Sequence, residues 1–115
     1  MASVISKKFD TPDETHQPGR GQVAVVSVGG VTLRQLTFQP GWRWSEDVKP
    51  AAKTDLCAIA HINVHISGKL GAKMADGSEY EFGPGDVALL PAGHDAWVIG
   101  DEPAIIIEQT PAAEQ

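Results

Sequence analysis

Cys57, His61 and His94 are the residues of this sequence best suited to chemistry. Thiolate and imidazole favour zinc, copper, iron or nickel over magnesium or calcium, and three protein ligands with one open position are the pattern of a reactive metal. Zinc and iron are the first expectations for one divalent transition metal. Asp47, in a long connection, is either a further ligand or a plain surface acid. The alternative is a metal-free pocket, since buried cysteine commonly behaves as a small hydrophobe.

The ligand-binding candidates are Trp42, Trp44, Trp97 and Asn63. Aromatic faces at a pocket mouth can stack on a sugar or an aromatic ligand, with Arg43 or Lys49 available for a carboxylate. Equally, Trp42 and Trp44 can plug one end of the fold or an interface between subunits. Asp95 stands beside His94, where it could orient the ring. His65 is expected near the pocket mouth or in solvent, next to Ser67 and Gly68, and His16 is expected to be solvated.

These residues need strands to position them. Gln22 to Val28 and Val31 to Phe38 are apolar, β-branched runs around Gly29-Gly30, a hairpin dipeptide. Pro40-Gly41 stops the second run and opens an aromatic-rich connection through Pro50. Leu56 to Ile66 reads as the longest strand. Leu56, Ala58, Ala60, Ile62, Val64 and Ile66 share one face, and Cys57, Ile59, His61, Asn63 and His65 share the other. On a regular strand Cys57 and His61 stand roughly 13 Å apart, so only one of them can join His94 unless the strand bulges. Lys69 to Met74, Glu79 to Phe82, Val87 to Leu90, Ala96 to Ile99 and Ala104 to Gln109 follow, separated by Asp76-Gly77, Gly83-Pro84-Gly85-Asp86, Pro91-Ala92-Gly93-His94 and Gly100-Asp101-Glu102-Pro103. No segment has a helical period, so the chain reads as all-β with many short strands, a barrel or a sandwich.

The chain has 115 residues, one domain's worth, with 42% hydrophobic and 21% charged residues. Residues 1–20 read as a loosely packed arm or an edge strand, 21–110 as the barrel and 111–115 as a tail. A net charge of -6 opposes binding to phosphate backbones, so no nucleic-acid partner is expected. One cysteine allows no intrachain disulfide, and no membrane span or secretory run is seen, which points to the cytoplasm. An arm that extends a neighbour's sheet would give a homodimer.

Gly85, Pro91 and Gly93 fall on the spacing of the second half of the cupin signature, which expects its histidine where Ala96 stands, two residues after His94. Counting back from Gly68, the first half puts Asp55 and Cys57 at its histidine positions and His61 at its acid. The sequence thus resembles the cupins, with a permuted ligand set in place of three histidines and a glutamate. Pro40 to Glu46, Val48 to Pro50, and Pro91 to Trp97 followed by Gly-Asp-Glu-Pro look like a subgroup of small single-domain bacterial cupins of unassigned function. That subgroup carries a histidine where this chain has Asp47. The resemblance implies a cupin-type double-stranded β-barrel (jelly roll) in which His94 approaches Cys57 and His61. Two functions fit: a barrel binding a small molecule, or a metal-dependent dioxygenase, isomerase or lyase acting on a small oxygenated substrate.

Overall fold

The computed structural model describes residues 3–52, 54–58 and 60–109. Ile59 and the expected tail 111–115 lie outside the described residues. Among the described residues nine strands run β1 (Glu14–His16), β2 (Gly21–Val28), β3 (Val31–Phe38), β4 (His61–Ser67), β5 (Lys69–Met74), β6 (Glu79–Phe82), β7 (Val87–Leu90), β8 (His94–Ile99) and β9 (Ala104–Gln109). They form a six-stranded sheet, β1-β2-β3-β9-β4-β7, and a three-stranded sheet, β6-β5-β8. Every pairing is antiparallel. The sheets face one another as an open jelly roll, and among the described residues no ladder of hydrogen bonds closes them into a full barrel.

Alternation sets the core. On β3 and β9 the inward residues Leu36, Phe38, Ala104 and Ile106 are at most 7% exposed, and Leu70, Ala96 and Val98 meet them from the smaller sheet. Each large aliphatic buried this way contributes about 1.5–3 kcal/mol of transfer free energy. The Gly29-Gly30 turn has φ of 60° and 82°, the positive pair a two-residue hairpin needs, and it sets the β2–β3 register from Val28↔Val31 to Gly21↔Phe38. Gly68, with φ 71°, follows a bulge at His65–Ser67, and a Cβ there would run into the Pro103 carbonyl.

Three expectations are corrected. The long connection is not wholly irregular: it holds two helical turns, α1 (Trp44–Asp47) and α2 (Lys49–Ala52). Four residues are too few to show a period, and α1 is held by a carboxylate, since Asp47 Oδ2 accepts the Arg43 N–H at 2.8 Å. The Leu56–Ile66 strand begins only at His61, and Cys57 sits before it in an isolated bridge to His94. His65 is not near solvent; it is 3% exposed, stacked on Phe82 at 5.1 Å between ring centroids.

Of the N-terminal arm, Glu14–His16 forms the edge strand β1 on β2, and Lys7 pairs with Asp13 at 3.0 Å. Val4 and Ile5 are exposed. Among the described residues, no helix is long and apolar enough to cross a membrane.

Candidate metal centre and pocket

The shortened strand solves the spacing problem. Because residues 54–58 leave the ladder, Cys57 is no longer two strand repeats from His61; its backbone pairs with β8 instead. Cys57 N–H donates to the His94 carbonyl at 2.8 Å, and Gly93 N–H donates to the Cys57 carbonyl at 2.7 Å. This places Cys57 Sγ 3.4 Å from His61 Nε2, close to the roughly 3.5 Å between two ligands of one tetrahedral zinc. His94, the first residue of β8, completes the group: one ligand atom from each of Cys57, His61 and His94 lies within 4.8 Å of the others. All three are buried or half-buried.

The second nitrogen of each histidine faces an acceptor. His94 Nδ1 lies 2.6 Å from the Pro91 carbonyl. A carbonyl can only accept, so Nδ1 is the donor of this contact, which leaves Nε2 as the nitrogen that could face a metal. Asp95 does not orient this ring; its carboxylate accepts the Ser45 N–H at 3.0 Å and pairs with Arg43 at 3.3 Å. His61 Nδ1 stands 3.2 Å from Glu108 Oε2, within ion-pair reach though not aligned as a hydrogen bond. The other Glu108 oxygen accepts Asn63 Nδ2 at 2.8 Å. Burial opposes charge on His61, but Cys57 and Glu108 outweigh it and raise its pKa from 6.5 to about 9. The ring is therefore protonated at neutral pH, and a metal arriving at Nε2 displaces that proton.

Glu108 is the functional residue that sequence reasoning missed. On β9, Ala104, Ile106 and Glu108 share the inward face, so a carboxylate in an otherwise apolar row was the available signal. It stands directly across from Asn63 on β4 and Arg34 on β3.

Beside the cluster lies a cavity of about 360 Å³, walled largely by apolar side chains including Leu36, Phe38, Trp42, Trp44, Leu70 and Ile106. This is the size and texture of a small-molecule site. Trp42 stacks on Phe38 at 3.8 Å and donates its Nε1–H to the Pro18 carbonyl at 3.1 Å. Both loop tryptophans are thus buried wall, at 3% and 6% exposure. Asn63 borders the same cavity, and so does His16, otherwise an exposed residue of β1. Trp97 is on the opposite face of β8, under the Arg43 guanidinium at 4.7 Å, and does not line this cavity. Lys49 pairs with Asp55 at 3.7 Å. Asp47 stands apart from the cluster, its oxygens taken by Arg20 and the Arg43 N–H.

The two antiparallel sheets, the inward histidines and the pocket between them define a cupin-type fold, and comparison with solved structures agrees. The chain is similar to a protein of unknown function from Rhizobium leguminosarum, with a TM-score of 0.66 and 18% identity over 96% of this chain and all of that one. It is also similar to a DUF1255 protein of unknown function from Acidithiobacillus ferrooxidans, at TM-score 0.63 and 15% identity over 86% and 88% of the two chains. Bacillus subtilis oxalate decarboxylase, a protein with Mn(II) centres, matches at TM-score 0.57 and 20% identity over 90% of this chain but 29% of its own length. No family profile and no curated protein matches the sequence.

Proposed function

We propose that this chain is a small-molecule-binding cupin whose pocket floor is a transition-metal centre on Cys57, His61 and His94, with zinc or iron(II) the first candidates. The observation that carries this reading is the pre-set orientation of the ligands. The Nδ1 atoms of both histidines face an acceptor, the carboxylate–histidine and carbonyl–histidine arrangement that steadies metal-binding rings. His61 Nε2 and a ring nitrogen of His94 converge with the thiol beside an apolar cavity. A divalent ion held there would supply a Lewis acid with a position open to ligand. In the pocket, Trp42 and Trp44 offer flat apolar surface, and Glu108 holds His61 and Asn63 in place.

The open position also supports a second reading, a metal-dependent dioxygenase, isomerase or lyase on a small oxygenated substrate. Elemental mass spectrometry of untagged protein tests the shared premise. Near-stoichiometric zinc, iron, nickel or copper, lost in both His61→Ala and His94→Ala, is the expected result. Protein that stays metal-free after incubation with zinc, iron(II), nickel and copper would sink the metal centre and leave a purely organic pocket. Quenching of tryptophan emission by a ligand, abolished in Trp44→Ala, reports occupancy of the cavity.

A further inference from the structure

The cations near the cavity differ in what they face. Arg20 is bound to Asp47 and Glu46, Arg43 lies over Trp97 on the outer face of β8, and Lys49 pairs with Asp55. Arg43 and Lys49, the side chains expected to meet a carboxylate, do not line the cavity. Arg34 does, and among the described residues it is the one lysine or arginine that does so. Period two along β3 puts Arg34 on the inward face with Leu36 and Phe38, so a half-buried cation stands in an otherwise apolar row. The register carries this row across the sheet. Arg34 lies directly across from Val25 on β2 and from Glu108 on β9, and Glu108 lies across from Asn63 on β4. Glu108 also stands behind His61. Arg34 is therefore one strand to one side of Glu108, and His61 belongs to the strand on the other side.

Charge and shape decide what such a cavity takes. Both histidines are neutral when they ligate, and the cysteine is a thiolate. A divalent ion on the cluster, the Cys57 thiolate, the Glu108 carboxylate and the Arg34 guanidinium then leave one positive charge over. Buried charge is costly unless it is paired. One carboxylate on the ligand brings the balance to zero, whereas a neutral ligand leaves the charge unmatched and a dianion overshoots it. The guanidinium carries five N–H donors in a planar fork, the shape that grips a carboxylate through two parallel bonds. A bond to a protein neighbour still leaves it donors for a ligand. The cavity of about 360 Å³ is otherwise walled largely by apolar side chains, including Phe38, Trp42 and Trp44, which suit an apolar body. We propose that the cavity holds a small monocarboxylate with an aromatic or aliphatic body, its carboxylate gripped by Arg34 and its body laid against the tryptophan wall. This selection rests on the pocket and metal centre proposed above, and it adds Arg34 as the residue that chooses the ligand.

Phenylacetate and phenylacetamide are nearly identical in shape and differ in charge. In isothermal titration calorimetry of the zinc-loaded full chain at pH 7, phenylacetate is expected to bind at least about tenfold more tightly than the amide. Phenylmalonate, a dianion, is expected to bind more weakly than phenylacetate. Arg34→Gln should bring the phenylacetate and phenylacetamide dissociation constants within about threefold of each other, with circular dichroism and zinc content unchanged. Arg34→Lys keeps the charge and loses the fork, so it should retain part of the preference. Equal affinities of acid and amide in the wild type overturn the proposal and leave the cavity standing as a site for neutral ligands. A preference undiminished in both Arg34 variants also overturns it, by putting the carboxylate on the metal. Failure of both probes to bind overturns the proposal together with the apolar cavity as a ligand site. Zinc content, read by elemental mass spectrometry on the same samples, reports the metal centre separately.

Discussion

Glu108 stands behind the cluster and is not one of its three converging residues. It lies behind His61, is 6% exposed, and is the nearest negative charge to the ring. Glu108→Gln should lower the His61 pKa from about 9 toward 6.5, read from the ring nitrogen shifts by NMR. The same variant should weaken metal binding by about 10–100-fold in a competitive chelator titration, because the ring loses its orienting carboxylate. His65 behaves in the opposite sense. Burial lowers its pKa below 6.5, so the folded protein holds it neutral where the unfolded chain already binds a proton. Its contribution to stability is present above pH 6.5 and is lost as pH falls from there through the lowered folded value. In His65→Leu, urea midpoints should change less between pH 7 and pH 5 than in the wild type.

Among the elements, the connection between β3 and β4 depends on one carboxylate. Asp47, with its side chain 8% exposed, accepts hydrogen bonds from the Arg20 N–H, the Arg20 guanidinium and the Arg43 N–H. Arg20 holds its pKa below the usual carboxylate range. Asp47→Ala leaves those backbone donors without their partner and should cost about 2 kcal/mol in chemical denaturation. Loosening α1 also frees Trp44 from the cavity wall, so ligand affinity should fall with it. The strands were legible from alternation and turn dipeptides: Gly29-Gly30 and Asp76-Gly77 mark hairpins, and the inward face of His61 and Asn63 follows from period two. The local departure of residues 54–58 from the ladder was not, because it is set by pairing of Cys57 with His94, 37 positions away. Glu108 was hidden for a similar reason. Its neighbours in space are Asn63 and His61, and nothing near it in the sequence points to them.

At the scale of the molecule, β4 and β9 have two unlike sides: the side-chain cluster and cavity inside, exposed aliphatic side chains outside. Metal occupancy should add stability through mass action, about 2.7 kcal/mol at a free metal concentration a hundred times the dissociation constant. Thermal melts with and without a chelator check this, and Cys57→Ala should abolish the difference. The ligands come from different parts of the fold. His61 belongs to the six-stranded sheet, His94 to the three-stranded sheet, and Cys57 to the segment between β3 and β4. Since among the described residues no ladder closes the two sheets upon each other, an ion shared by these residues would act as a rivet through an open shell. Its departure would let the halves breathe apart, so amide protons along β8 should exchange faster in the metal-free protein than in the loaded one, while those of the β2–β3 hairpin keep their pace.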